Sequence, residues 1–356
     1  MKIFAGLDIH SKSCTYAVLS EDGQVLSRGS FETTPEAIAG WAKEQKLGKE
    51  SRIGMESGGM TTFVAQQLLK LELDVVVIHA NEVRKKARSK GKKSDSRDAF
   101  EIADGLRRDS YVQIVRLPDS FSQRLRDRIH MRRHFVRIAS KEVTTVKCRL
   151  RALGLGFVYK TLTTRKAFDK LLARPEIDEA VREQIRMHYA VWQTAKAQQK
   201  QVDAQIEKMA AEQPKQMELL KSVPGVGAVV GATVIAYFHK PERFATAKHA
   251  ASYCGLTTQT YHSGEGADRY GHITKEGPKE LRSMLCEAAQ QARRKTNPFH
   301  AMYNRIKAKK GYKIAVIAVA HRLARICWAV LRHEKLFDAT KLHSAAWNRL
   351  QQASAT

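Results

Sequence analysis

The chain has 356 residues, of which 43% are hydrophobic, and 62 Lys and Arg against 36 Asp and Glu give it a formal net charge of +26. This length and composition predict two or three folded domains and exclude a disordered or collagen-like chain. The best candidate for a membrane span, residues 314–331, is interrupted by His321, Arg322 and Arg325, so we expect no transmembrane helix.

The N-terminus and the cysteines indicate a cytoplasmic protein. Asp8 stands where a signal peptide would be apolar, and no small-residue cleavage site follows it. The 5 cysteines are far apart in sequence and include no Cys-x-x-Cys pair. We therefore expect neither a disulfide framework nor a zinc ribbon.

The charge is concentrated in two segments. Residues 84–151 carry 21 basic and 8 acidic residues and residues 219–356 carry 22 and 8, whereas residues 1–83 carry 8 and 11. Two basic surfaces beside a nearly neutral middle are typical of a protein that binds a polyanion such as DNA. The alternative is a solvated basic surface that serves only solubility, although an isolated chain of this charge repels itself.

The first 80 residues show the pattern of a layered α/β domain. The apolar runs and helical periodicities predict strands and helices in the order β-β-β-α-β-α-β, at residues 2–9, 13–20, 24–31, 35–46, 51–55, 61–71 and 74–78. This order predicts a mixed sheet covered by helices.

Long helices follow. Residues 82–109 are expected to be helical and basic with a break at 89–94, and residues 120–153 form an Arg-rich helix that Gly154 ends. A second long helix after Pro175 carries a heptad-like seam with His188 and Gln199 as polar interruptions; its members are Val181, Ile185, Trp192, Ala195, Val202, Ile206 and Met209. The seam predicts a coiled coil or helical hairpin, which either an intramolecular bundle or a dimer contact would explain.

A Pro-Gly turn marks the C-terminal part. Val223-Pro-Gly-Val-Gly227 lies between helical segments, and such a turn exposes backbone N–H groups that suit a DNA phosphate, as in a helix-hairpin-helix motif. A plain structural connection is the alternative. The polar, Gly-rich residues 254–277 predict loops or a hairpin, and helices are expected from Lys279 onward.

Four acids form the first candidate site. Asp8 and Glu56 end predicted strands, and Asp95 and Asp98 share one face of a helix inside a strongly basic run. Four carboxylates could hold two Mg²⁺ ions for displacement at phosphorus. Each acid alone would be explained equally well as a solvated carboxylate or a helix salt bridge.

A serine in a basic loop is the second candidate. Ser263 lies between His262 and Gly264, and Arg269, Lys275 and Arg282 follow it. A serine hydroxyl can attack a phosphodiester once its proton is removed, although Ser-Gly is more often a turn.

These motifs together resemble the DEDD transposases of bacterial insertion sequences. They occur in the family's order: Asp8-Ile-His, Glu56-Ser-Gly-Gly, Lys93-Ser-Asp95-Ser-Arg-Asp98-Ala, Pro224-Gly-Val-Gly227, Gly255-Leu256, Ser263-Gly264 and Gly271-x-x-x-Lys275-x-Gly277-x-x-x-Leu281-Arg282. The better-studied members of that family are bridge-RNA-guided recombinases, and its relatives include a pilin-gene DNA invertase.

The resemblance implies an architecture of three parts with a short tail. It implies a RuvC-like, RNase H-type domain at 1–118, a long-helix or coiled-coil region at 119–215, a transposase domain at 216–345 and a tail at 346–356. The fold class expected is therefore α/β plus α.

The resemblance also implies the chemistry. Asp8, Glu56, Asp95 and Asp98 would bind two Mg²⁺, with Mn²⁺ as a possible substitute, and Ser263 would become joined to DNA. The expected nucleic-acid-binding residues are Lys85, Lys86, Arg88, Lys92, Lys93, Gly225, Gly227, Arg269, Lys275 and Arg282. The implied partners are donor and target DNA, a structured guide RNA from the element, and further copies of the chain in a dimer or tetramer, all in the cytoplasm at the nucleoid.

Three other functions stay open from the sequence. A RuvC-like endonuclease that uses water, or a DNA invertase, would need the four acids, and the endonuclease would not need Ser263. A non-enzymatic architectural protein would bind DNA through the basic helices and would need none of the four acids.

Overall fold

The computed structural model describes residues 2–87, 94–112, 114–159, 161–261 and 269–343, and it forms two compact units, Met1–Leu117 and Pro118–Thr356. The three-domain division of the chain stays a prediction.

A five-stranded mixed sheet organises the N-terminal unit. Its strands are β1 (Ile3–Ile9), β2 (Ser13–Ser20), β3 (Val25–Glu32), β4 (Arg52–Glu56) and β5 (Asp74–Ile78), and its helices are α1 (Pro35–Glu44), α2 (Thr61–Lys70), α3 (Ala80–Ala87) and α4 (Asp95–Arg107). The spatial order is β3-β2-β1-β4-β5, with β1–β2 and β2–β3 antiparallel and β1–β4 and β4–β5 parallel. The predicted order of strands and helices and the mixed sheet are confirmed, while the RuvC-like assignment stays a prediction.

The two faces of this sheet have separate hydrophobic cores because successive strand residues point to opposite faces. Ala5 and Leu7 of β1 pack with Ile38 and Trp41 of α1 and with helix α2. Phe4 of β1 packs on the other face, together with residues of β5 and helix α4. Helix α4 thus covers the face opposite α1 and α2.

Helices make up most of the C-terminal unit. They are α5 (Ser120–Ala152), α6 (Arg165–Leu172), α7 (Glu179–Ala210), α8 (Pro214–Lys221), α9 (Ala228–Phe238), α10 (Ala247–Tyr253), α11 (Lys279–Ala289), α12 (His300–Lys310) and α13 (Tyr312–His333). Strands β6 (Thr258–Tyr261) and β7 (Arg269–Ile273) form an antiparallel hairpin. The predicted hairpin in the Gly-rich stretch is confirmed.

The two long helices form an antiparallel pair within the chain. Arg132 of α5 pairs with Asp203 of α7, and Glu142 further along α5 lies against His188 near the start of α7. The predicted seam is buried here: Ile185, Trp192 and Ile206 of α7 lie in cores shared with α5. The intramolecular alternative therefore accounts for the burial of this seam, and a dimer contact of this region stays a prediction.

Helix α13 is a core helix. By length and hydropathy it is the one described helix that could cross a membrane, and 67% of its apolar window is buried inside the protein. Its apolar residues, among them Val319 and Leu323, belong to the largest hydrophobic core.

Candidate functional site

Two of the predicted acids end neighbouring strands at the same sheet edge. Strands β1 and β4 are parallel, with Leu7 opposite Met55, and Asp8 and Glu56 come next on each strand. Because side chains alternate, both acids face the same side of the sheet as Gly6 and Gly54, two positions earlier. That side is the one covered by α4.

Two glycines let α4 lie directly on the sheet. A Cβ at Gly6 would lie 2.6 Å from the backbone nitrogen of Ala103, and a Cβ at Gly54 would lie 2.9 Å from the side chain of Ile102. Any larger residue would push the helix away. Because these two positions have no side chains, α4 packs close to the sheet. This packing distance also sets how far the first turn of α4 lies from the strand ends.

Asp8, His10 and Asp95 converge at this edge. The Nε2 atom of His10 lies 3.4 Å from a carboxylate oxygen of Asp8 and 3.3 Å from one of Asp95. One potential ligand atom from each residue lies within 4.8 Å of the other two. Helix α4 brings Asp95 here because Ser94 caps it: the Ser94 side chain accepts a hydrogen bond from the Arg97 backbone N–H, so Asp95 falls in the first turn.

The electrostatics of the site suit a cation. Burial raises the pKa of Asp8, the nearby His10 lowers it, and the negative charges of Asp95 and Asp98 raise it further. A carboxylate whose pKa is raised by neighbouring negative charges is stabilised in its ionised form by a bound positive charge. Asp98 is thus electrostatically coupled to the cluster, and Glu56 lies on the adjacent strand end.

His10 was missed as a site residue by the sequence reasoning. It stands two positions after Asp8, which places its side chain on the same face, and its imidazole lies between two carboxylates. The alternating Asp8-Ile-His10 spacing at a strand end was the signal that could have identified it.

The predicted basic residues of the N-terminal unit are described only in part. Lys85 and Lys86 belong to α3, and their side chains lie outside the described part of the structure. Arg88, Lys92 and Lys93 fall in residues 88–93, outside the described ranges. Their contact with nucleic acid stays a prediction.

The Pro-Gly turn joins α8 to α9 and lines an open groove. Gly225 has a left-handed φ of +92°, and a Cβ there would lie 2.7 Å from the backbone oxygen of Ala288. Gly227 precedes α9 and offers it no side-chain cap. The groove, of about 630 Å³, is also lined by Lys221 and Arg294. Two exposed cations beside the start of a helix suit a phosphate backbone.

The predicted serine belongs to the residues that connect β6 to β7 in the sequence. Tyr261 pairs with Arg269 at the end of the hairpin where residues 262–268 connect the strands, and Ser263 lies outside the described residues, as does the side chain of Arg269. Lys275, in the connection from β7 to α11, is exposed and has a left-handed φ of +55°.

Arg282 has structural partners. Its guanidinium donates hydrogen bonds to the backbone oxygens of Cys254 at 3.3 Å and Lys275 at 3.2 Å. Gly277, with φ +108°, lies so close to Tyr253 that a Cβ would overlap the Tyr253 backbone oxygen. These contacts hold the base of the hairpin against the start of α11. The residues of the sequence pattern that make them are Gly255, Lys275, Gly277 and Arg282.

A partly exposed polar network supports the same region. Glu280 of α11 accepts hydrogen bonds from Arg133 of α5 and from the Tyr237 hydroxyl of α9, and His130 of α5 lies 3.5 Å from its carboxylate. The hydrogen bond with His130, with that of Arg133, lowers the pKa of Glu280 to about 2, and the same contact raises the pKa of His130. The network joins α5 to α9, which follows the Pro-Gly turn, and to α11, which follows the hairpin.

Two family descriptions match the chain. A model for a DEDD transposase related to the element IS110 matches residues 5–155, and one described as the transposase IS116/IS110/IS902 family matches residues 217–304. The first match contains the acidic cluster, and the second contains the Pro-Gly turn and the hairpin.

Similar proteins carry related names. The putative transposase y4pF/y4sB of Sinorhizobium fredii is 24% identical over 308 residues, 85% of this chain and 74% of that protein. A probable family 20 transposase of Pseudomonas aeruginosa is 25% identical over 80% of this chain and 85% of its own length. A pilin gene-inverting protein of Moraxella lacunata is 33% identical over 122 residues, 34% of this chain and 38% of that protein.

Membership of a DEDD transposase family indicates use of a divalent metal, which agrees with the donor set at Asp8 and Asp95. The acids predicted from the sequence fall within the first matched segment, and the serine loop and Arg282 fall within the second. The chain belongs to the IS116/IS110/IS902 family of DNA transposases and is an enzyme of DNA transposition and recombination.

Proposed function

We propose that this transposase cuts and rejoins DNA strands with a metal-binding set of Asp8, Glu56, Asp95 and Asp98 and with Ser263 as the nucleophile. The observation that carries the proposal is the convergence of Asp8, His10 and Asp95 where β1 ends and α4 begins. Two of the four proposed acids come together although 86 residues separate them in sequence, and a third raises the pKa of Asp8.

The donors fit Mg²⁺. Carboxylate oxygens are the ligands that this hard ion prefers, with Mn²⁺ as a substitute that also accepts imidazole. When bound, two such ions supply positive charge to the scissile phosphate and to the leaving oxygen. The carboxylates of the chain would bind these ions. His10 lies between Asp8 and Asp95 and limits the rotation of both carboxylates.

The proposed reaction is a transesterification. The Oγ of Ser263 forms a bond to the DNA phosphorus while one P–O bond of the backbone breaks. The serine proton passes to solvent, and the leaving deoxyribose oxygen takes up a proton. A covalent phosphoserine conserves the bond, so the reverse attack by a new strand end rejoins DNA without ATP.

A structured guide RNA from the element is the proposed source of target choice. In such complexes base pairing reads the sequence, and the protein reads backbone shape and phosphate. Two observations support both this RNA and double-stranded DNA as partners. One is the excess of basic residues in segments 84–151 and 219–356, and the other is the groove beside Gly225 and Gly227. We further propose that the enzyme acts as a dimer or tetramer at the bacterial nucleoid.

The experiment is the capture of the covalent intermediate. Wild-type protein and Ser263→Ala are each co-expressed with the element's flanking DNA, which also supplies any guide RNA, and adducts are isolated under denaturing conditions. We expect an adduct from the wild type and none from Ser263→Ala. Cleavage by both proteins without an adduct would instead identify a water-using nuclease.

DNA inversion is a second candidate. It is favoured by the 33% identity with the pilin gene-inverting protein over 122 residues. Both reactions use the same strand cutting and joining, and they differ in whether the two sites lie on one molecule in inverted orientation. A plasmid with two inverted element ends would report inversion by a changed restriction pattern.

A further inference from the structure

An open groove on the N-terminal unit begins beside Asp8, His10 and Asp95 and extends towards the edge strand β3. It has a volume of about 420 Å³, and its described lining residues are Thr15, Arg28, Gly29, Ser30, Asp95 and Ser96. The Asp95 carboxylate also lies 3.3 Å from His10, so the groove is continuous with the acidic cluster. A volume of several hundred Å³ is typical of sites that hold a molecule of about the size of a nucleotide.

The register of the sheet sets the order of the groove residues. Asp8 of β1 is paired with Thr15 of β2, and Thr15 is paired with Ser30 of β3. Directly opposite residues point to the same face, so these three side chains form one row on the side of the sheet where α4 lies. Adjacent strands are about 4.8 Å apart, which puts Ser30 about 10 Å from Asp8. Arg28 faces the same side, about 7 Å from Ser30 along β3, so the row leads from the acids to a cation.

An aromatic ring holds Arg28 in place. The central carbon of its guanidinium lies 4.9 Å from the centre of the Phe100 ring of α4, which is a cation–π contact. The Arg28 side chain is exposed, and no carboxylate of the described residues forms a salt bridge with it. Stacking uses the flat face of a guanidinium and leaves the N–H groups at its edge available for a bidentate contact with a phosphate. Arg28 is therefore oriented before any ligand binds.

Three hydroxyl groups line the rest of the groove. Thr15 is half-buried, Ser30 and Ser96 are exposed, and none of these hydroxyls forms a hydrogen bond with another group in the described part of the chain. Ser96 lies four residues before Phe100 on α4, so the two side chains share one face of that helix. Hydroxyls and arginine are groups with which proteins contact the phosphate and sugar oxygens of DNA. The lining therefore fits an anionic backbone better than an apolar ligand.

We propose that this groove binds the DNA strand being cut, on one side of the scissile phosphate, and that Arg28 contacts a neighbouring phosphate of that strand. The inference rests on the proposed function, because the metal-binding acids define where the scissile phosphate lies. DNA carries one phosphate per nucleotide, so a strand that passes the acids presents its next charges to the groove. Arg28 acts as a positioning residue that holds the strand in register with the acids. It reads no sequence, since the contact is to the backbone.

Neutralisation of single phosphates tests the contact. Fluorescent duplexes span the junction between the element end and its flank, and each carries one methylphosphonate, which removes the charge of one phosphate. Binding is measured by anisotropy with Ser263→Ala protein purified together with any RNA from the element, so that no covalent product forms. We expect one methylphosphonate near the cut to weaken binding about tenfold. When Arg28→Met is added to this protein, the same methylphosphonate should weaken binding less than about twofold, because its partner is gone.

Cleavage kinetics separate positioning from folding. Arg28→Met keeps an aliphatic chain over Phe100 and loses the guanidinium. We expect it to raise the DNA concentration for half-maximal cleavage about tenfold and to lower the melting temperature by less than about 3 °C. Arg28→Lys, which keeps the charge without the planar fork, should lie between the wild type and Arg28→Met. Lys43→Ala removes an exposed cation from α1, on the opposite side of the sheet, and is the matched control that should cleave like the wild type.

Two results would overturn the proposal. One is a set of methylphosphonate effects that Arg28→Met leaves unchanged at every position near the cut. The other is an unchanged DNA concentration for half-maximal cleavage in Arg28→Met. A different result would overturn the proposed function and keep the groove as a DNA-binding site: a methylphosphonate effect that depends on Arg28, in a protein whose wild type cuts none of these duplexes with Mg²⁺.

Discussion

Gly6 of β1 lies beneath the backbone of Ala99 in α4, so close that a Cβ at Gly6 would overlap the Ala99 carbonyl oxygen. The contact is between two backbones and cannot be relieved by turning a side chain. The distance of α4 from the sheet, and therefore the position of Asp95 relative to Asp8, depends on a residue without a side chain at position 6.

The first prediction concerns this glycine. We expect Gly6→Ala to lower the free energy of unfolding of the N-terminal unit by about 2 kcal/mol or more, because α4 must shift to admit the methyl group. Chemical denaturation followed by circular dichroism measures the change. Gly40→Ala is the control: Gly40 lies in α1 with no atom within 4 Å of its added Cβ, so the same substitution should be neutral or stabilising there. Equal losses in both variants would contradict the close contact.

The second prediction concerns the acidic cluster. Asp8→Asn should reduce DNA cleavage at least about 1000-fold, roughly 4 kcal/mol of transition-state stabilisation, because it removes a metal-binding charge. DNA binding should be largely retained, which a gel-shift assay checks. Asp22→Asn, in the exposed turn between β2 and β3, is the matched control and should cleave normally. Loss of DNA binding by Asp8→Asn would count against a catalytic role.

The third prediction is a pH dependence at Glu280. Its pKa is lowered from 4.5 to about 2 by His130 and Arg133, so the ionised carboxylate stabilises the fold above pH 4.5. That stabilisation is lost as the pH falls towards 2, because the native carboxylate is then protonated as well. We expect Glu280→Gln to cost about 2 kcal/mol at pH 6 and much less near pH 2.5, discounting for the partial exposure of the group.

Urea unfolding of the wild type and of Glu280→Gln at pH 6, 4 and 2.5 measures that difference. The raised pKa of His130 acts in the opposite direction, because its contribution is present below pH 6.5 and is lost as the pH rises through the folded pKa. Glu276→Gln, an exposed acid four residues earlier, serves as the comparison. A cost for Glu280→Gln that does not change between pH 6 and pH 2.5 would show that the carboxylate charge is not involved.

The fourth prediction separates a structural arginine from a phosphate-binding one. Arg282→Ala should lower the melting temperature by about 3–6 °C, because two backbone oxygens at the base of the hairpin lose a charged donor. Differential scanning calorimetry gives this value. The exposed neighbour Lys279→Ala should leave the melting temperature unchanged. If Arg282→Ala melts like the wild type but binds DNA more weakly, its main role is contact with phosphate.

The fifth prediction concerns the groove beside the Pro-Gly turn. Replacing both Lys221 and Arg294 by alanine should weaken DNA binding uniformly across sequences. It should also reduce the slope of log K against log salt by about 2, one unit for each lost phosphate contact. Fluorescence anisotropy at several salt concentrations gives the slope. Lys166→Ala with Lys170→Ala, which removes the same charge from exposed positions on α6, is the control. Equal slope changes in the two double variants would mean that only the net charge matters.

Some features of the site were readable in the sequence and others were not. Alternation of apolar residues identified β1, and the position of Asp8 near its end followed directly. The role of Asp95 came from the resemblance, because nothing local connects it with Asp8. His10 escaped notice because a histidine two residues after an acid is common, and only the fold brings Asp95 to its ring.

The sequence also did not reveal the contact partners of Arg282 and of α7. A basic residue following a Gly-rich loop suggests phosphate, yet the Arg282 guanidinium donates to the backbone oxygens of Cys254 and Lys275. The heptad seam of α7 was visible in the sequence, but the helix that packs against it was not. Whether α5 or another chain covers a seam depends on the path of the chain between the two helices.

The sequence by itself determined the order of strands and helices, the basic segments and the family of the chain, because these depend on nearby residues and on motifs in linear order. The tertiary structure decided which groups meet: Asp8 with Asp95 through His10, and the buried seam of α7 with α5. These contacts join residues far apart in sequence. They form because two glycines allow α4 to lie on the sheet and because α7 runs antiparallel to α5. Close packing sets such distances, and no local pattern encodes them.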